Sequence, residues 1–258
     1  MSGGTLDDMR EVVTPEAASS PPTQPKPGWL QRGVRWMGWT LISLGLFLLG
    51  FVAHQLFITT WFAQQNNAVL ESRATTYFQE VEVTEIEYVS PGPPELVDPE
   101  EPPPIPVKLT VEEAPPRGQP FAIIRIPTID RLVDGWAVVE GVTRANLKNG
   151  AGHMPTTPLP GQPGNSVISG HRTTWGAPFH ELDTLEPGDE IHVETAAGVH
   201  SYVVRSLEIV DPTALWVTGE RDGAWLTLTT CHPKFSSRQR LIVFAEMVDG
   251  PNHRAIYG

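Results

Sequence analysis

The 258-residue chain has one cysteine, Cys231, so it can form no internal disulfide. On the oxidising side of a membrane such a thiol would be kept either for packing, as a small hydrophobe, or for chemistry. The chain also lacks positive charge: its formal net charge is −12, which argues against a nucleic-acid partner, because domains of that kind are usually basic. It lacks a His-Glu-x-x-His motif, an EF-hand pattern, a phosphate-binding loop and a dinucleotide fingerprint, so no metal and no other cofactor is expected. There is no internal repeat. Finally, no charged residue occurs from Trp36 to Ile58.

That uncharged run is rich in Leu, Ile, Phe and Gly. As a helix it would extend about 34 Å, enough to cross a hydrocarbon layer of about 30 Å. Its apolar core is longer than that of a cleaved signal peptide, and no small-x-small cleavage site follows Ile58. Trp36, Trp39 and Trp61 suit interfacial positions at its two ends. Lys26, Arg32 and Arg35 precede the run, and no Lys or Arg follows until Arg73. The positive-inside rule then gives a single-pass protein of the cell membrane, with its N-terminus cytoplasmic and its long C-terminal part extracytoplasmic.

Five regions are expected. Residues 1–35 read as a polar, Pro-rich cytoplasmic tail and residues 36–58 as the transmembrane helix. Residues 59–118 read as an extracytoplasmic stalk followed by an acidic linker; the density of proline from Pro91 to Pro116 favours an extended polyproline spacer over helix or central strand. From Gln119 the texture changes to short β-type runs separated by turns: Phe121–Ile126, Trp136–Val142, Asn165–Ser169, Asp189–Thr195, Val199–Val210, Trp225–Thr230 and Leu241–Val248. Thr143 is placed to cap a short helix that ends before Gly150. Residues 119–250 therefore read as one all-β domain with short helices, a small barrel or sandwich, and residues 251–258 as a C-terminal tail.

Cys231 ends the run Trp225-Leu-Thr-Leu-Thr-Thr-Cys231, which His232-Pro233 breaks. Strand alternation puts Trp225, Thr227, Thr229 and Cys231 on one face and Leu226, Leu228 and Thr230 on the other. The next strand opens at Arg240. If the two pair antiparallel, Cys231 and Arg240 lie at the same end of the sheet; Arg238 has the same parity and is a rival. Of eight histidines, His171 follows a strand through Ser169-Gly170 and precedes a polar loop, Arg172-Thr-Thr-Trp175. His192 and His200 fall in hairpin strands and read as solvent-facing, while His153, His180 and His253 read as loop residues. His232 adjoins the thiol, but adjacent strand residues point to opposite faces.

The motif Thr227-Leu-Thr-Thr-Cys231-His-Pro233, with Arg240 opening the next strand and Ser169-Gly-His171 upstream, resembles the sortases, and among them the class E type, over about residues 119–248. The resemblance implies a closed sortase-type β-barrel of seven to eight strands, here preceded by a transmembrane helix and a Pro-rich linker. It implies a cysteine transpeptidase that cleaves a C-terminal sorting signal, Leu-Pro/Ala-x-Thr-Gly-like, on surface proteins. The acyl group then passes to an amine on a cell-wall precursor or a pilin. Cys231 would be the nucleophile, His171 the proton-transfer group and Arg240 the donor to the developing oxyanion, with Thr230 beside the nucleophile helping to hold substrate. Class E members favour Ala at the second signal position, but the strand starting at Phe121 carries no tyrosine of the kind that goes with that preference. A pilin-polymerising sortase and an inactive, envelope-binding sortase-like module are the alternative readings.

Overall fold

The computed structural model describes residues 28–54, 59–89 and 106–258. Most of the expected cytoplasmic tail and the proline-dense centre of the expected linker lie outside the described residues. The chain divides into two compact units, at Leu48/Leu49.

The described part of the first unit belongs to helix α1, Trp29–Ala53, whose residues up to Leu48 lie in that unit. This helix is long and apolar enough to cross a membrane. It starts before Trp36 because Arg32 and Arg35 are good helix formers and continue the helix rather than end it.

The second unit is built on a closed eight-stranded barrel. Its strands are β3 (Pro120–Arg125), β4 (Trp136–Glu140), β5 (Ala151–His153), β6 (Gly164–Ser169), β7 (Glu190–Thr195), β8 (Gly198–Val210), β9 (Ala224–His232) and β10 (Gln239–Asp249), after an earlier pair β1 (Val83–Tyr88) and β2 (Val107–Glu112). The order around the barrel is β10-β8-β7-β3-β4-β5-β6-β9. Most neighbours run antiparallel, but β4 pairs with β5 and β6 with β9 in parallel. Inward residues such as Ile168, Val204, Leu226, Leu228 and Val243 fill the interior with Tyr202 and Phe179. The eighth strand, β5, escapes a sequence reading because it has only three residues, Ala-Gly-His, with no alternation to detect. It holds His153, expected in a loop, fully inside, where the ring Nδ1 lies 2.7 Å from the Glu140 carboxylate.

The short helix α3, Arg144–Asn149, forms as its sequence requires: the Thr143 hydroxyl accepts a hydrogen bond from the Asn146 amide at 3.2 Å.

Helix α2, Thr59–Glu80, is not the free stalk expected of it. Ala63, Asn67, Leu70 and Ala74 recur at helical spacing and are buried against β3 and β4. The stripe is made of small and polar residues, so it carries little hydrophobic signal. Asn67 supplies the specificity: its Oδ1 accepts from the Ala137 amide at 2.9 Å, and its Nδ2 donates to the Glu71 carboxylate at 2.7 Å. Covered by α2 outside and by the core inside, β3 is buried from Pro120 to Ile124, which is why its sequence is a continuous apolar run rather than an alternating one.

The expected linker also differs. Its two ends pair as the antiparallel sheet β1–β2, with Val83 opposite Glu112 and Tyr88 opposite Val107. Proline density concealed both strands, although each is itself free of proline. The expected C-terminal tail, residues 251–258, is docked as well and contains helix α4, His253–Tyr257. Just before it the fully buried Asn252 accepts from the Thr110 amide at 2.7 Å and donates to the carbonyls of Thr110 and Gly161 at 2.8 and 3.0 Å, tying β2 to the barrel.

Near this junction the β7–β8 hairpin buries two titratable groups. His200, expected to face solvent, is fully buried, its ring so close to Gly161 that any Cβ there would overlap it. Burial holds its pKa down at about 4. Glu112, at the end of β2, is also buried, and among the described residues neither carboxylate oxygen has a hydrogen-bond donor in bonding geometry. Desolvation therefore pushes its pKa up to about 7, with only partial relief from the nearby Thr195 hydroxyl and the Ala196 and Ala197 amides.

A carboxyl that binds its proton more tightly when folded favours the folded state at low pH. That contribution is full below the unfolded value of 4.5 and is lost as pH rises through about 7. Thermal unfolding followed from pH 5 to pH 8 should show this group's contribution falling by on the order of 3 kcal/mol, read as the difference between the parent chain and Glu112→Gln, because the depressed pKa of His200 acts in the opposite sense. Glu112→Gln should remove most of that slope and be the more stable chain at pH 8; parallel slopes for the two chains would assign the trend elsewhere.

Candidate active site

The thiol sits on the outer face of the barrel near the end of β9. Ala224, Leu226 and Leu228 point into the core, so Trp225, Thr227, Thr229 and Cys231 point outward. Below the thiol this outer face is closed: Trp225 packs with Val217, Ile242 and Phe244 beneath the 3-10 turn Leu215–Thr218. Asn165 of β6 accepts from the Thr227 hydroxyl at 2.6 Å and donates to the carbonyls of Val217 and Gly219, fastening that turn to the sheet. Cys231 itself is half-buried.

Two strand registers bring the other residues to it. On one side β10 runs antiparallel and pairs Arg240 directly with Cys231. Arg240 shares the outward parity of Ile242 and Phe244, and its guanidinium donates to the Ser237 and Gln239 carbonyls at 3.0 Å each. Its rival Arg238 stands exposed in the loop before β10. On the other side β6 runs parallel, with Ser169 opposite Thr229. The Gly170 amide continues the ladder by donating to the Thr229 carbonyl at 3.1 Å, which carries His171 to the level of Cys231.

Thr230 takes the inward position. Its hydroxyl is buried and donates to the Gly170 carbonyl at 2.8 Å, so it holds the turn before His171. Gly170 cannot be larger, because a Cβ there would come within 2.5 Å of the Phe179 ring. The Phe179 amide in turn donates to the His171 carbonyl at 3.1 Å. The glycine of Ser-Gly-His is thus a steric requirement of the turn that presents the imidazole.

His171 is half-buried, and its buried Nε2 has no hydrogen-bond partner among the described residues. Desolvation lowers its pKa below the usual histidine value, so the ring is neutral near pH 7 and able to accept a proton. His232 differs. Its Nδ1 lies 2.9 Å from the Arg172 guanidinium, which has only protons to offer, so that nitrogen is an acceptor already in use.

Arg172 is the component that sequence reasoning missed. It is buried, and besides His232 it contacts the Cys231 carbonyl at 3.1 Å and the Asp183 carboxylate at 2.9 Å. The only sequence hint was an arginine directly after His171, opening a loop that read as polar. Among the described residues no group of three or more His, Cys, Asp or Glu side chains is placed to hold a metal ion.

A closed barrel of this strand order, with one thiol on its outer face beside an arginine and a histidine drawn from neighbouring strands, defines a sortase-type domain. Residues 124–248 match the family model described as a sortase domain. The chain is 33% identical over 148 residues to Sortase SrtE1 of Streptomyces coelicolor and 31% identical over 146 residues to Sortase D of Bacillus subtilis, stretches that cover 51% and 56% of this chain. They span 41% and 65% of those two relatives' own lengths. Among solved structures, sortase E from Streptomyces avermitilis aligns at 36% identity and a TM-score of 0.47, covering 54% of this chain and 95% of that one. The chain belongs to the sortase family and has class E-like character.

Proposed function

We propose that this protein is a membrane-anchored cysteine transpeptidase. It cleaves a C-terminal sorting signal, Leu-Pro/Ala-x-Thr-Gly-like, and transfers the acyl group to an amine of a cell-envelope acceptor. The reading is carried by one observation: Arg240 is paired in register with Cys231 while the β6 turn brings His171 to the same level on the outer face.

In this mechanism the neutral His171 takes the proton of the Cys231 thiol, and the thiolate attacks the carbonyl carbon of the signal's threonine. Arg240, permanently charged, donates to the developing oxyanion. Collapse of the tetrahedral intermediate breaks the peptide bond, and the proton on His171 passes to the leaving amine. A thioester remains on Cys231. The acceptor amine attacks it, loses a proton to His171, and releases the thiol as the new amide forms. Beside Arg240, a cleft of about 450 Å³ lined by Ile209, Val210, Ala214, Trp216 and Gln239 offers apolar and polar surface for the extended signal peptide. Thr230 supports the site through the Gly170 turn, a positioning role rather than direct contact with substrate.

Helix α1 is the proposed single-pass anchor. The Lys26, Arg32 and Arg35 side faces the cytoplasm, and the catalytic domain is extracytoplasmic.

The deciding experiment is intact-mass measurement of the protein after incubation with a panel of sorting peptides. An adduct on the single thiol equal in mass to the peptide acyl fragment is expected, and its absence with every peptide would remove the transpeptidase reading. Arg240→Ala should lower kcat by about 10²–10³-fold, the usual size for a lost oxyanion donor. Turnover within twofold of the parent would move that role to another donor.

A further inference from the structure

We propose that Arg172 is a positioning residue for the thiol: its buried guanidinium, anchored by Asp183, grips the Cys231 carbonyl and the His232 ring and holds the end of β9 against the turn that carries His171. The inference rests on the transpeptidase reading above.

An arginine cannot shed its proton, so burying it requires partners for its donors. Arg172 is only 2% exposed. Nη1 reaches the Cys231 carbonyl at 3.1 Å and His232 Nδ1 at 2.9 Å, and Nη2 reaches Asp183 Oδ2 at 2.9 Å. The other Asp183 oxygen lies 3.4 Å from the Lys234 ammonium, in the loop between β9 and β10. Burial alone would raise the Asp183 pKa, but the two cations outweigh it and hold the carboxyl below its usual value. The Arg172 carbonyl is engaged as well, accepting from His180 Nδ1 at 2.7 Å.

Three segments therefore meet on one guanidinium: the turn after β6, the 3-10 turn Leu182–Thr184 that holds Asp183, and the end of β9. Two consequences follow for the reaction. The main chain at Cys231 is fixed, and with it the starting point of the sulfur; an error of about 1 Å in such a position can cost about 100-fold in rate. His232 has its Nδ1 lone pair committed and its ring proton on Nε2, so it is held away from the role that its place next to the thiol would otherwise invite.

The test uses the full-length chain carrying Arg172→Lys and, separately, Asp183→Asn, which alters a partly exposed carboxylate and leaves the guanidinium in place. Turnover of a sorting peptide is expressed per reactive thiol, so loss of folded protein does not count as loss of rate. Arg172→Lys is expected to lower kcat by about 10–100-fold with KM within about twofold, and Asp183→Asn to lower kcat several-fold in the same pattern. Nitrogen-15 NMR of the His232 ring should show the Nε2–H tautomer in the parent and a mixture in Arg172→Lys. Should Arg172→Lys fail to fold, Asp183→Asn decides alone. The inference is overturned if the folded variants keep kcat within twofold of the parent. Cys231→Ala, run in parallel, separates the two levels: if it is inactive, only the positioning role has failed, and if it still makes product, the transpeptidase reading has failed too.

Discussion

Replacing Cys231 with alanine should leave no thioester and no transpeptidation product. The substitution removes the attacking atom, and the chain has no second thiol to replace it. Loss of a nucleophile from an acyl-transfer site costs on the order of 10⁶-fold in kcat, which places the variant at background. The fold should survive. Cys231 is half-buried on the outer face and outside the main core, so its truncation should shift stability by about 0.5 kcal/mol or less. The measurement is peptide cleavage together with thermal unfolding. A chain that unfolds normally yet still joins peptide to amine would show that the chemistry does not pass through the thiol.

The second large effect concerns the choice between two histidines. His171→Ala should lower turnover by about 10³-fold, within the range expected for a lost proton-transfer group, whereas His232→Ala should lower it by about tenfold or less. The asymmetry has a structural cause. Among the described residues the Nε2 of His171 has no partner and its ring is kept neutral by burial, while the Nδ1 of His232 already accepts from Arg172.

The pH dependence gives a second readout with a definite sign. Because desolvation lowers the His171 pKa, the neutral form persists below the ordinary histidine range, so the acid limb of kcat/KM should fall at a pH lower than 6.5. In His171→Ala that limb should disappear. If His232→Ala were the more damaging change, the proton-transfer role would pass to the residue beside the thiol.

Much of the barrel was legible in the chain because strands with one face in the core alternate. The run from Trp225 to Cys231 assigned its own inner and outer faces, and the barrel interior contains Leu226 and Leu228 as that alternation requires. The capped helix at Thr143 was legible for a similar reason, since one hydroxyl at one position does the work locally. Where the structure departs from the sequence reading, the local signal was weak or misleading. Helix α2 docks through Ala63, Asn67, Leu70 and Ala74, a stripe with little hydrophobic contrast. The β1–β2 pair flanks a proline-dense stretch whose composition dominates the window. His200 was assigned to solvent, yet its space is made by Gly161, distant in sequence.

The candidate site divides in the same way. Cys231 and Arg240 flank one short connection between antiparallel strands, so their meeting follows from local order. His171 reaches them only because β6 lies parallel beside β9, a neighbour relation no local pattern encodes.

By itself the sequence determined the single thiol, an uncharged stretch long enough to span a membrane, and strands whose alternation sorts inside from outside; these are properties of composition and short-range periodicity. Only the tertiary structure decided that a buried arginine grips the thiol's own carbonyl, that α2 lies on the barrel, and that Glu112 and His200 are sealed inside. Those outcomes depend on desolvation and on partners far apart in the chain, and a side chain's burial is set by what folds over it.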